Sequence, residues 1–227
     1  MHSENANKSL STLIDMNWFE CKSRFPKVLI SLIGDTNNID KDTKLVMQLK
    51  NRLMNTALLT DAIVVTNGLH MGIAKLVGEA VQESFYDPNV RKKSGIEDGL
   101  EPLLLGMTSW KSVLDKEKLI SENGEAIYEI TSGQESTEDL GYLDNFHNRF
   151  ILVDEGDGDT EKTSNVRFIF ENMFAAEKNM FVVVIGGGVS TLKQVVKYWQ
   201  KGISTLVVPG TGGLAKELYE MWTKPSM

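Results

Sequence analysis

The chain has 227 residues, of which 41% are hydrophobic and 24% are charged, ordinary proportions for a globular protein. This length suffices for one sizeable core, and a single domain is the simplest organisation. No run of about 18 apolar residues occurs, so the sequence predicts no membrane insertion of this chain. The net charge of -7 argues against nonspecific binding to nucleic acid and against docking on anionic lipid.

The N-terminal sequence and the cysteine content favour a cytoplasmic location. The first residues, MHSENANKSL, lack the basic start and apolar core of a secretory signal. Cys21 is the single cysteine, so the chain can form neither an internal disulfide nor a CxxC metal site. A reducing compartment fits this content. We therefore expect no bound metal and no resident cofactor.

Strands and helices alternate along most of the chain. We interpret residues 1–25 as an N-terminal arm, 26–222 as one domain and 223–227 as a tail. Short apolar runs predict strands at 28–33, 62–66, 103–107, 150–154, 181–185 and 204–209, and helical periodicity predicts helices at 43–59, 73–84, 166–177 and in segments ending near Gln200 and Trp222. This alternation is typical of an α/β protein with a Rossmann-like open parallel sheet and helices on both faces.

The segments between the later elements are less regular. The sequence predicts a small hairpin at 126–130 and mobile surface insertions at 86–101 and 131–141. Acidic residues cluster after the fourth predicted strand, at Asp154, Glu155, Asp157 and Asp159. Their spacing does not match a calcium-binding EF-hand loop, so we interpret them as a solvated loop.

Four predicted strands end in loops rich in glycine or small polar residues. In an open parallel sheet such strand ends share one edge, where the ligand crevice forms. Glycine lets the backbone approach a phosphate, and the following helix starts offer free N–H groups. The sequence therefore predicts a pocket for a nucleotide-like anion. The predicted contacts are Gly34, Thr66, Asn67, Gly68, Gly186, Gly187, Gly188, Ser190, Thr191, Gly210, Thr211 and Gly212.

Two further residues have alternative interpretations. His70 follows the second strand, where it either contacts phosphate or ribose or caps the next helix. Arg167, beyond the acidic loop, is either a surface residue or a bidentate phosphate ligand. In the second case, replacing Arg167 by alanine should weaken ligand binding with little loss of stability. No loop matches the P-loop or GxGxxG, which disfavours nucleoside-triphosphate hydrolysis and dinucleotide redox chemistry.

Five motifs together resemble a known family in their order and spacing: PKVLISLIGD, VVTNGLHMGIAKLVGEAV, FILVDEGDGD, VVVIGGGVSTL and TLVVPGTGGLAKEL. They are similar to the cytosolic N-terminal SLOG (LSDAT) domain of TRPM cation channels, over about residues 16–222. The resemblance implies a Rossmann-like fold and a regulatory site for ADP-ribose or a related nucleotide. It also implies other subunits of a tetrameric calcium-permeable channel as partners, and a location at the cytoplasmic face of a membrane.

The resemblance also bears on individual residues. Arg167 matches the arginine that contacts ligand in some TRPM members, whereas the tyrosine that stands seven residues earlier in those members is Thr160 here. Related phosphoribohydrolases carry the motif GGxGTxxE, and here Gln194 stands at the position of the catalytic glutamate. Glutamine cannot act as a carboxylate acid or base, so we expect no enzymatic activity.

Three functions stay open at this point. The first is a nucleotide-sensing regulatory domain, free-standing or part of a channel. The second is a nucleotide N-glycosidase of the phosphoribohydrolase type. The third is a ligand-free module that serves channel assembly.

Overall fold

Six strands form one parallel sheet, which confirms the predicted α/β Rossmann-like fold. A computed structural model describes residues 26–37, 39, 44–86, 102–130, 136–137, 140–156, 161–177 and 179–224. The strands are β1 (Val28–Gly34), β2 (Ala62–Thr66), β3 (Leu103–Ser109), β4 (Arg149–Val153), β5 (Asn179–Ile185) and β6 (Ser204–Val208). Their order across the sheet is β4-β3-β2-β1-β5-β6, with every neighbouring pair parallel.

The predicted helices are also present. They are α1 (Lys44–Leu59), α2 (Gly72–Val81), which continues into a π-helical turn at Gln82–Tyr86, α3 (Lys162–Glu177), α4 (Val189–Gln200) and α5 (Gly213–Thr223). Helix α3 begins at Lys162 rather than at 166, because its first turn is polar and gives no hydrophobic periodicity. No helix among the described residues combines the length and apolar character needed to cross a membrane.

The predicted hairpin at 126–130 is wrong. These residues are described, and they form no strand. The segment is held instead by a side chain, since the hydroxyl of Tyr128 donates to the carbonyl of Leu114 at 2.6 Å. The arm at 1–25, most of the two predicted insertions and the positions Asp157, Asp159 and Thr160 lie outside the described residues.

Helices cover both faces of the sheet, which explains why its strands are continuous apolar runs. Successive side chains of a strand point to opposite faces, so Leu29 and Ile33 of β1 lie on one side and Ile30 and Leu32 on the other. The first side packs against α3, α4 and α5, and the second against α1 and α2.

The direction of chain progression reverses at the centre of the sheet. Strands β2, β3 and β4 follow one another outward from β1 on one side, and β5 and β6 lie on its other side. The carboxyl ends of β1 and β5 therefore form the switch point of the sheet, where ligands bind in open α/β folds.

Candidate functional site

At the switch point, the loops after β1 and β5 pack directly on each other. The amide of Asp35 donates to the carbonyl of Ile185 at 3.0 Å. A Cβ added to Gly34 would lie 2.0 Å from that same carbonyl oxygen, and Gly34 has a φ of +119°. Glycine is therefore required here by the approach of two protein backbones.

The N-terminus of α5 is occupied by the protein itself. The amides of Leu214 and Ala215 donate to the carbonyls of Gly187 and Gly186 at 2.8 and 2.9 Å. The buried hydroxyl of Thr211 accepts from the amide of Gly186 at 2.7 Å. These contacts hold the loops after β5 and β6 together. The amides of Leu214 and Ala215 are therefore not available to bind a phosphate.

The remaining predicted contacts at this edge differ in exposure. Gly188 and Ser190 are exposed, and a Cβ on Gly188 would meet nothing within 4 Å. Thr191 is buried, whereas a Cβ on Gly210 would lie 2.7 Å from the side chain of Leu45. Ligand contact by these glycine-loop residues stays a prediction.

An open cleft lies at the carboxyl ends of β2, β3 and β4, along the same edge of the sheet as the glycine loops. Most of the residues that line it are polar. Its volume is about 580 Å³. Its polar lining includes Asn67 after β2, Ser109 and Lys111 at the end of β3, Glu155 after β4, Arg167 of α3 and Gln194 of α4. The sequence singled out Asn67 and Arg167 as ligand contacts, and the structure brings these two residues together.

Arg167 lies between the cleft and the sheet. Its Nε donates to Glu171 at 2.9 Å, one helical turn further along α3. Its Nη2 donates to the hydroxyl of Ser31 at 2.8 Å and to the carbonyls of Leu32 and Val65 at 3.0 and 3.1 Å. The side chain is only 11% exposed. Arg167 therefore fastens α3 to the ends of β1 and β2 while it lines the cleft.

The partner carboxylate, Glu171, is fully buried. It accepts from the hydroxyl of Ser31 at 2.7 Å and from the hydroxyl of Tyr198 on α4. Burial and the negative charge of Glu171 raise the pKa of Tyr198 far above its usual range. Burial disfavours the charged form of Arg167, but the charge of Glu171 outweighs this and raises the arginine pKa. Arg167 and Glu171 therefore form a buried salt bridge.

A second carboxylate, Glu155, faces the cleft itself. Its Oε1 accepts from the hydroxyl of Thr163 at 2.6 Å and from the Thr163 amide at 3.4 Å, at the start of α3. Partial burial raises the pKa of Glu155, but hydrogen bonds from Thr163 and Ser109 and the charge of Lys111 lower it on balance. Glu155 is therefore ionised at neutral pH.

The loop after β2 is locked by a buried network. His147 donates or accepts at both ring nitrogens, with Nε2 2.8 Å from Thr66 Oγ1 and Nδ1 2.9 Å from Asp144 Oδ1. His70 Nδ1 lies 2.8 Å from the other oxygen of Asp144, and the amide of Gly68 donates to Thr66 Oγ1 at 2.8 Å. Thr66 and His147 are buried, so this network holds the loop after β2 in one conformation.

The structure excludes one of the two interpretations of His70, namely that it caps α2. Helix α2 has Met71 as its N-cap residue and receives no side-chain hydrogen bond there, so His70 does not cap it. Its ring is 36% exposed beyond the contact with Asp144. Contact with a ligand stays a prediction. Among the described residues, no cluster of three or more His, Cys, Asp or Glu side chains could hold a metal ion.

The chain is a Rossmann-like α/β domain with an open cleft at the carboxyl ends of its parallel strands. Comparison with known protein families identifies the family of this domain. The chain belongs to the eukaryotic LSDAT family, described as SLOG in TRPM, whose sequence profile matches residues 1–221.

Channel subunits are among its relatives. The chain is 28% identical over 211 residues to transient receptor potential cation channel subfamily M member 2 of Mus musculus, covering 88% of this chain and 14% of that protein. It is 28% identical to subfamily M member 4 of Rattus norvegicus, covering 87% and 17%. It is 24% identical to subfamily M member 7 of Homo sapiens, covering 86% and 10%. The chain thus spans about a sixth or less of these relatives.

Proposed function

We propose that this chain is a nucleotide-sensing regulatory domain that takes an ADP-ribose-like ligand in the cleft beside β2, β3 and β4. The observation that carries the proposal is the meeting of Asn67 and Arg167 in one open cleft of about 580 Å³. Clefts of this size, with a few convergent polar groups, are the usual form of a small-molecule site. A nucleotide offers the hydroxyl and amine groups that this lining can bind.

Binding without hydrolysis is supported by Gln194. This residue lines the cleft from α4, at the position where related hydrolases carry a glutamate. Its amide can donate and accept hydrogen bonds, but it cannot exchange a proton with a leaving base at neutral pH. We therefore infer a binding role and no cleavage of the glycosidic bond.

The proposed setting is the cytoplasmic face of a membrane, as part of a calcium-permeable TRPM-type channel or as a free-standing relative. The support is the family membership and the identity of the relatives as cation channel subunits. Its proposed macromolecular partners are other domains or subunits of such a channel, with ligand binding changing how the domain packs against them. A ligand-free assembly role is the outcome if no nucleotide binds.

The experiment is calorimetric titration of the purified chain with ADP-ribose, AMP, ATP and cyclic ADP-ribose, followed by chromatography of each mixture for released base. We expect one nucleotide to bind without base release. Replacing Gln194 by alanine should weaken that binding several-fold, because the cleft loses one hydrogen-bonding group. Gln200→Ala is the matched control, since Gln200 is exposed at the end of the same helix and lies outside the lining of this cleft.

Three results would count against the proposal. Base release that Gln194→Ala abolishes would make the protein a hydrolase. Equal loss of binding in the Gln194 and Gln200 variants would remove the cleft from the site. Absence of binding by all four nucleotides would favour the assembly role.

A further inference from the structure

The described charges that line the cleft are already paired within the protein. Within the described part of the chain, two cations line the cleft, Lys111 and Arg167, and each stands near a carboxylate. Arg167 forms its buried ion pair with Glu171, at 2.9 Å. Lys111 interacts electrostatically with Glu155, and its Nζ also donates to the carbonyl of Gly156. A ligand with several phosphates would therefore meet little uncompensated positive charge.

Among the residues that the structure describes, Glu155 is the one carboxylate that lines the cleft directly. Its Oε1 is held by the hydroxyl and amide of Thr163, at 2.6 and 3.4 Å, so its position is fixed from the protein side. A fixed carboxylate is an acceptor only, which suits a hydroxyl donor and opposes a second anion. The hydroxyl and the amide of Thr163 both donate to Glu155, so they are not available to bind a phosphate.

We propose that Glu155 is a specificity-determining residue, which admits a hydroxyl-bearing, weakly charged group such as a ribose to the cleft and excludes phosphate groups from it. The inference rests on the proposed function, since it assigns which part of a nucleotide the cleft takes. The phosphates of a bound nucleotide then lie away from Glu155. Nearby hydroxyl and amide groups, on Ser109 and Gln194, complete a lining suited to sugar hydroxyls.

The test compares wild type, Glu155→Gln and Glu155→Asp for binding of inorganic pyrophosphate and of adenosine. Glu155→Gln keeps the shape and an acceptor oxygen but removes the charge. We expect its pyrophosphate affinity to rise about tenfold or more over wild type, as removal of a unit charge a few ångströms away implies. Its adenosine affinity should change less than about threefold, because the hydroxyl acceptor remains. Glu155→Asp keeps the charge and should still exclude pyrophosphate.

Glu125→Gln is the matched control, because it makes the same charge change at an exposed residue that does not line this cleft. A pyrophosphate gain in Glu155→Gln alone supports the inference, even if wild type binds no nucleotide and the proposed function fails. An equal gain in Glu125→Gln would reveal a general effect of net charge and overturn the inference. Pyrophosphate affinity that is the same in wild type and Glu155→Gln, including no binding by either, would also overturn it, whether or not wild type binds ADP-ribose.

Discussion

Arg167 and Glu171 form a buried ion pair one turn apart on α3, with 2.9 Å between Nε and the carboxylate. The carboxylate is fully buried, and the arginine also donates to the ends of β1 and β2. From the sequence we expected Arg167 to contact a ligand and to contribute little to stability. The pair shows instead that the same side chain ties α3 to β1 and β2, so removal of Arg167 should also lower stability.

Arg167→Ala should lower the free energy of unfolding by about 3–5 kcal/mol, because it leaves Glu171 buried and unpaired. Urea denaturation measures this. Glu220→Gln is a control, since its pairing with Lys224 takes place on the exposed surface of α5. An Arg167→Ala protein as stable as wild type would show that the pair contributes nothing.

Replacing both members of the pair should be less harmful than removing one. The double variant Arg167→Met, Glu171→Leu removes both charges and fills their space with apolar atoms. We expect it to recover about half or more of the stability lost in Arg167→Ala, because no isolated charge stays buried. The same denaturation series measures the recovery. A double variant less stable than Arg167→Ala would contradict this explanation.

Gly78, in the middle of α2, should not tolerate alanine. A glycine-to-alanine change inside a helix usually stabilises by about 0.5–1 kcal/mol. Here the new Cβ would lie 2.4 Å from Oδ1 of the buried Asp144. We expect Gly78→Ala to destabilise by about 1–3 kcal/mol, as other overpacked sites do. Thermal unfolding tests this, with Gly188→Ala, which meets nothing within 4 Å, as the control.

Stability should fall steeply in acid because of Asp144. Burial raises the pKa of this carboxyl, but hydrogen bonds from His147 and His70 lower it on balance below its usual range. A lowered folded-state pKa contributes stability above the unfolded value of about 3.9, and that contribution is lost as pH falls through the folded value. Urea denaturation from pH 5 to pH 2 should show a steeper loss for wild type than for Asp144→Asn. Parallel curves would contradict this assignment.

The fold followed from the sequence because its strands are short apolar runs separated by periodic helices. The strand order did not, since it depends on which strands pair across the sheet. The start of α3 was missed because its first turn, from Lys162, is polar. The hairpin predicted at 126–130 does not form, and Tyr128 of this segment donates instead to the carbonyl of Leu114.

The site was predictable only in part. Glycine after a strand marked the edge of the sheet where the candidate cleft lies, but at Gly34 the reason for glycine is contact with the carbonyl of Ile185. Asn67 and Arg167 were recognisable, whereas Ser109 ends β3 without a predicted role. Glu155 was interpreted as part of a solvated acidic loop, but it lines the cleft. The isolated Gly78 inside a helical pattern was a local signal of the buried network around Asp144.

Binding of a nucleotide in the cleft beside β2, β3 and β4 can be measured by amide chemical-shift mapping of the ¹⁵N-labelled chain during titration with ADP-ribose. We expect saturable shifts at the amides of Asn67, Ser109 and Thr163 and at the side chain of Gln194. Absence of shifts, or saturable shifts confined to the exposed glycine-loop residues Gly188 and Ser190, would contradict it.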